Sequence, residues 1–582
     1  MQTAAFYFGK CFPTFIAMLS VFLTGLLFLF ITANIGYFFN RIARGNEWVS
    51  AGFFKAVLTG TLVLTVYLNT CSIFIKTDYW LLALPFGLSL FVLSKPYVRL
   101  QLCQMFKQNS KLLFSKSHVA VTLAFLLVLA LFTIVPPYNT DSSGYHFLAI
   151  LWNEKFCAVP GLANLFPQYG YNSSFFVLSA AFSFTTIFYQ SIYPINAVLT
   201  VIFFLWILKK SYKYSDARKY LLWMMLLVFL RQFPINLASP SADSLASILV
   251  FYVLFSVFEM DMEKAGQKDW KYLLILAVFA IIIKLSTLPL IIVGLLPFIC
   301  RRQNFKKTCL DYLRLMPLLS LIIVPWIVRN LILSGYLIFP FPAVDLFSFE
   351  WKVPLDVAWR EQIHISQGAK MAGEDWLAVS KMPITQWFPK WLPNVWNDNH
   401  LNFLLVVAGL LSPLVFAVVF FFRKNMQPGV LFSIFMACSG VWFWIFTSPD
   451  IRFGYHYLVP CIVIPSMVIL QSGREAGKAL VFQTIFVMLT VAGCVYYAGI
   501  AIRFLQPYTI AACVMRPFKC PEYDKNNALN SFRFVLLNKS IRLYIHDSLH
   551  HSINAPLPSC APYRSGISLR GSKLQDGFKT QP

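Results

Sequence analysis

The chain has 582 residues, 58% of them hydrophobic, 17% aromatic and only 12% charged. A soluble globular domain carries about 25% charged residues, so this composition excludes an ordinary soluble enzyme and predicts an all-α, polytopic helical membrane protein. Lys and Arg outnumber Asp and Glu by 48 to 24, a formal net charge of +24. The excess sits in short loops between apolar runs and forms no basic stripe, so nucleic acid is not an expected partner.

Roughly fourteen apolar runs approach the ~30 Å needed to span hydrocarbon. They lie near 14–39, 50–75, 78–94, 118–135, 193–208, 220–233, 240–258, 272–284, 286–300, 312–334, 401–422, 428–447, 457–472 and 479–502. The first run is too long, and Lys10 too isolated, for a cleavable signal peptide. Residues 95–116 carry Lys95, Arg99, Lys107, Lys111 and Lys116 and no acid. Further basic loops hold Lys209, Lys210, Lys213, Arg218 and Lys219; Arg301, Arg302, Lys306 and Lys307; and Arg423 with Lys424. Such loops predict the cytoplasmic side. That puts 136–174, 335–400 and the 448–457 turn outside. The run 174–190 is apolar, but a crossing there would break the charge pattern, so it is expected to be interfacial or re-entrant.

The organisation expected is therefore 1–117, N-terminal spans and a basic loop; 118–334, a membrane core with outer loop 136–174; 335–400, an outer loop; 401–502, C-terminal spans; and 503–582, an extracytoplasmic tail. In that tail Cys520 and Cys560 either pair or stay free thiols. The twelve cysteines show no CxxC and mostly read as small buried hydrophobes.

The stretch 136–174 carries the strongest chemical signal. Pro136 and Pro137 stop the preceding helix. Asp141 then opens an amphipathic segment on which Asp141, Tyr145 and Trp152 fall near one face, flanked by His146 and Asn153. Phe147, Leu148 and Leu151 suit the bilayer interface. A carboxylate at a lipid–water boundary suits a lipid-linked substrate; the alternative is that Asp141 merely caps a helix. Asp243 opens another span and is either a functional acid or a dipole-stabilised terminal one. Lys284 interrupts a long apolar stretch and either holds a phosphate or snorkels. Arg329 lies at the outer end of a span and Arg452 in a short outer turn; their forks suit phosphate oxygens, the alternatives being an interfacial anchor for Arg329 and a pair with Asp450 for Arg452. Trp351, Trp359, Trp376, Trp387, Trp391 and Trp396 suit an interfacial belt or sugar stacking. His146, His364, His400 and His456 fit no metal-ligand spacing, so no cofactor is expected, and a divalent metal is left open without support from the sequence.

The pieces DSSGYHFLAILW, VPGLANLFPQYGYNSSFF, SPSADS, IKLSTLPL, PWIVRNLILSGYLIFP, SPDIRFGY and LRGSKLQDGF span residues 141–578. They resemble an uncharacterised family of bacterial polytopic membrane proteins. The long first outer loop, with an acid just after a span and an interfacial helix behind it, also resembles the GT-C membrane glycosyltransferases, which take a sugar from a polyprenyl phosphate donor. On that pattern Asp141 matches the catalytic acid, Lys284 the lysine near the outer end of a middle span, and Asp243 a second outer acid. The chain departs from it in having three spans before the one leading into Asp141, and no second acid adjacent to Asp141.

The resemblance implies an inverting glycosyltransferase of the bacterial inner membrane. Its partners would be a polyprenyl-phosphate-sugar donor, a glycan or protein acceptor and the surrounding lipids. Asp141 would be the general base with His146 beside it. Asp243, Lys284, Arg329, Arg452, Tyr145 and Trp152 would bind substrate. The rival reading is a transporter or flippase of lipid-linked glycan precursors, since charged groups and broken helices also suit transport.

Overall fold

The computed structural model describes residues 2–44, 52–113, 119–134, 139, 141–188, 191–232, 234–260, 267–299, 305–371, 375–422, 426–470, 476–505, 533–538, 541–545, 557–560 and 566–580. Pro136, Pro137, Lys116, Arg301, Arg302, Glu374, Arg423, Lys424 and Cys520 lie outside them, so the proline stop, parts of three basic loops and the Cys520–Cys560 pairing fall beyond the described structure.

Helices dominate. Among the described residues six are long and apolar enough to cross a membrane: Val21–Ile42, Phe53–Phe74, Phe305–Ser334, His400–Val418, Pro428–Thr447 and Ile451–Leu470. A seventh arises if Tyr79–Ser94 and Pro96–Gln104, bent by 86°, form one broken span. This is a multi-pass membrane protein. Other apolar runs fall on shorter helices, although the 479–502 run lies within the 30-residue helix Ala476–Leu505. Val119–Ile134, Ala217–Gln232 and Asp243–Phe258 have 16 residues, and Ile195–Ser211 and Gln267–Ile283 have 17. At a rise of 1.5 Å per residue these reach about 24–26 Å, short of a ~30 Å core.

The Asp243–Phe258 helix runs through the middle of the bundle. Leu245, Ala246, Ile248, Leu249, Val250, Phe251, Val253 and Leu254 have no exposed surface. A helix apolar all round belongs in an interior, and this one carries Asp243 in with it. Gly36 and Gly60 let the first two helices touch backbone to backbone. A Cβ on Gly36 would collide with Ala56 O, and one on Gly60 with Thr32 O.

One expectation about the outer loops, that 174–190 does not cross, stands, and one changes. Ser174–Ala181 is an eight-residue helix, about 12 Å long, and every one of its residues is buried. Phe182 is its C-cap, Phe184 beyond it has a positive φ of 49°, and Thr185–Phe188 follows. The Ser174–Ala181 helix is too short to cross by itself and is packed inside protein, while Ile187 beyond it is 48% exposed. The Phe147–Lys155 helix is likewise covered: Phe147 and Leu148 are buried and do not lie in lipid.

The cover comes from the C-terminal tail. Arg533–Leu537 pairs antiparallel with Ile541–Ile545, which pairs parallel with Ser559–Cys560; Ile567–Leu569 pairs antiparallel with Phe578–Thr580. Leu537, Leu543, Ile567, Leu569 and Phe578 share one core with Leu148, Ile150, Trp152, Leu162 and Phe166. Phe578 N–H donates to Pro160 O at 2.9 Å, Thr580 Oγ1 to Asn164 Oδ1 at 2.7 Å and Tyr169 OH to Ser559 O at 3.2 Å. Arg570 pairs with Glu350 at 2.6 Å. The tail thus shares a face with both long outer loops, and its strands are the exception to an all-α chain.

Candidate functional site

Four separate pieces of chain converge at one place. The first is the turn into the outer helix. Asn139 Oδ1 accepts from Asp141 N–H at 3.0 Å, and Asn139 Nδ2 donates to Asn236 Oδ1 at 2.8 Å. Asn139 is therefore the cap. Asp141 makes no capping bond with its side chain, which removes the reading of it as a mere cap. Ser142–His146 is a single π-helical stretch, a wide turn often found at functional sites.

The second piece is the start of the Ile451–Leu470 helix. Arg452 Nε and Nη2 each donate to Asp450 Oδ2 at 3.0 Å, and Nη1 donates to Asp141 Oδ2 at 2.9 Å. One guanidinium thus bridges two carboxylates more than 300 positions apart in sequence. Asp141 Oδ1 carries no protein partner among the described residues. The Asp141 and Arg452 side chains are 36% and 41% exposed.

The third and fourth pieces are Asp243 and Lys284. The helix Gln267–Ile283 breaks at Lys284, whose backbone is extended, and continues as the 3-10 helix Leu285–Leu295. The break frees the lysine from a helical face and turns its ammonium onto Asp243, with which it forms an ion pair. Lys284 Nζ also sits 3.9 Å from the Phe453 ring centroid, while the Arg452 guanidinium lies 5.4 Å from the same ring. Phe453 joins the two ion pairs through cation–π contact. Lys284 therefore does not snorkel.

His146 lies beneath this cluster and is buried. Its Nδ1 is 3.2 Å from Ser142 Oγ, which in turn bonds Ser239 Oγ. Burial pushes its pKa down to about 4, so the ring is uncharged at neutral pH. Tyr145 packs 4.4 Å from the His146 ring and 5.4 Å from Tyr171. Burial, with Asp141 and Asp243 nearby, raises the Tyr145 phenol well above its usual range. Tyr171 OH donates to Glu361 on the Leu355–Gly368 helix, and Ser448 Oγ donates to Ile365 O of that helix at 3.0 Å. The second outer loop is thereby tied to the cluster's rim. Asn196 holds the loop beside it, donating to Ser239 O and Ser241 O, both at 2.8 Å.

Two expected site residues stand apart. Arg329 is buried and donates to Asn172 Oδ1, Ser72 Oγ and Asn153 Oδ1 at 3.0, 2.7 and 2.8 Å. It locks two spans to the outer loop and touches none of Asp141, Asp243, Lys284 or Arg452. Trp152 is buried in the tail core, edge-on to Phe578 at 5.8 Å. The expected arrangement of three cations and two acids becomes three acids, Asp141, Asp243 and Asp450, facing two cations. Asp450 was visible in sequence only as a local partner of Arg452. Glu361, Phe453 and Asn139 carry no sequence signal that marks them. Among the described residues no group of three His, Cys, Asp or Glu side chains is arranged to hold a metal ion.

Residues 18–459 match the model of a family described as a domain of unknown function, DUF8201. The chain belongs to this family. Comparison with curated proteins and with solved structures finds no match.

Proposed function

We propose that the chain is an integral membrane glycosyltransferase that moves a sugar from a polyprenyl-phosphate-linked donor to a glycan or protein acceptor on the extracytoplasmic face. The observation that carries this reading is the half-exposed Asp141–Arg452–Asp450 bridge beside the buried Asp243–Lys284 pair. Such a cluster offers a cation to a phosphate and a carboxylate to a hydroxyl within one site.

Each group then has a task. The donor phosphate docks on Arg452 and Lys284, where cations stabilise the leaving group's charge. Its arrival competes with Asp141 for the guanidinium. Asp141 loses its positive neighbour and is free to meet the acceptor hydroxyl. Asp141 Oδ1 takes the hydroxyl proton, the acceptor oxygen attacks the anomeric carbon, and the bond to the phosphate oxygen breaks with inversion. Asp243 stays paired and holds Lys284 in position. His146, neutral and buried, orients the turn through Ser142.

The helix break at Lys284 also suits a transporter or flippase of lipid-linked precursors, because discontinuous helices form midplane sites in transporters. One experiment separates the two. Purified protein is incubated with polyprenyl-phosphate-linked sugars and an acceptor preparation, and free polyprenyl phosphate is measured. Release that Asp141→Asn abolishes supports the enzyme. Transbilayer movement of the lipid-linked sugar in liposomes, with no release, rejects it.

A further inference from the structure

Arg329 presents a charge that nothing in the described protein neutralises. It is 2% exposed, and its three hydrogen bonds all go to neutral oxygens of Asn172, Ser72 and Asn153. A guanidinium has five N–H groups, so two are left over. A buried cation without a counter-charge is costly, because burial removes the water that would solvate it.

A cavity of about 20 Å³ adjoins it, with walls that include Trp152, Asn153, Cys157, Asn172 and Arg329. That is room for one water-sized species and far too little for a phosphate. The committed groups are clear. The Asn153 and Asn172 oxygens already accept from Arg329, and their amides donate to Ala149 O and Trp326 O. The Trp152 indole N–H is buried without a partner. The Tyr169 and Ser173 hydroxyls, also in its walls, donate to Ser559 O and Ile283 O, so the uncommitted protons at the cavity are those of Arg329 and Trp152. A water molecule would bring two protons that need acceptors, whereas an anion brings none.

We propose that this cavity binds one halide-sized anion, chloride under ordinary conditions, as the counter-ion of Arg329. The site is distinct from the Asp141 cluster and does not depend on glycosyl transfer. Its role is to neutralise the guanidinium that fastens the Phe53–Phe74 and Phe305–Ser334 spans to the outer loop.

The test is thermal unfolding of the purified full chain in sodium chloride, sodium bromide and sodium gluconate at equal ionic strength. Chloride and bromide are expected to raise the melting temperature saturably, and gluconate, too large for the cavity, is not. Trp152→Phe, which keeps the ring and removes the N–H, is expected to raise the halide midpoint about tenfold, as loss of a hydrogen bond to a charged partner implies. Equal melting in all three salts overturns the proposal, as does a halide effect whose midpoint Trp152→Phe leaves unchanged. Bromide anomalous scattering from wild-type crystals provides a reading independent of any variant: signal beside Arg329 supports the site, and its absence at saturating bromide overturns it.

Discussion

Asp141→Asn is the substitution for which the geometry predicts the widest separation between stability and activity. The Asp141–Arg452 pair is formed by side chains that are 36% and 41% exposed, and pairs of that exposure contribute about 0–1 kcal/mol. Arg452 keeps both hydrogen bonds to Asp450 in the variant. The turn is capped by Asn139, so the helix start is untouched. Stability should therefore fall by less than ~1 kcal/mol. A general base, the role proposed for Asp141, supplies about 10²–10⁴ in rate, which is roughly 2.7–5.4 kcal/mol of barrier. The assay is surface-glycan output in a deletion strain carrying the variant, with membrane abundance measured alongside. Output at 1% of wild type or below, at normal abundance, is expected. Normal output at normal abundance would refute the catalytic role. Asn139→Ala provides the opposite pattern, because losing a helix cap costs about 0.5–2 kcal/mol; abundance should drop and activity per molecule should hold.

Lys284→Met leaves Asp243, whose side chain is 7% exposed, without its counter-charge. Breaking a buried pair costs about 3–5 kcal/mol, so abundance should collapse and be largely restored by adding Asp243→Asn; a tolerated single variant would contradict the ion pair. His146 gives a pH signature. Its pKa in the folded chain is lowered from 6.5 to about 4, so between those values the unfolded chain binds more protons, and stability rises with pH. This contribution is complete above pH 6.5 and is lost as pH falls towards 4. Melting curves across that window should be steeper in pH for wild type than for His146→Gln, and identical slopes would contradict the assignment. Phe578 is fully buried against Trp152, and Phe→Ala in a core costs about 3–5 kcal/mol. Phe578→Ala should release the tail, seen as new protease cleavage between residues 533 and 580 while the membrane part stays intact.

Which features the sequence makes legible follows from the range of the forces involved. Helix class depends on local hydropathy, so nearly every apolar run is a helix, and the basic loops mark their ends. Span number is less legible, because a 16-residue helix such as Ala217–Gln232 and a true span look alike until the surrounding helices show whether lipid or protein covers them. The charged residues divide the same way. An ion costly to bury must find a partner, so Asp141, Asp243, Lys284 and Arg452 are each visible as anomalies in apolar surroundings, and their meeting follows from a shared membrane face. Arg329 is an equally visible anomaly, yet it lies elsewhere, because its partners are the neutral oxygens of Ser72, Asn153 and Asn172. Neutral side chains leave no charge pattern to read.

The tail makes the same point from the apolar side. Phe147 and Leu148 look lipid-facing in sequence, yet Phe147 stacks on Tyr193 at 5.3 Å and Leu148 shares a core with Phe578. Phe578 and its neighbours are more than 400 positions from Leu148 and dock through Pro160 and Asn164. A membrane-edge face therefore cannot be assigned to lipid from its own residues. It also follows that the outer helix behind Asp141 is held by protein on its buried side, through Trp152 and Phe578, and by Arg329 at Asn153. The role proposed for Asp141, releasing its guanidinium and meeting a hydroxyl, would need such a fixed platform, since misplacement of about 1 Å costs on the order of 10²-fold in rate. Loss of the tail should for that reason lower turnover even where abundance is preserved.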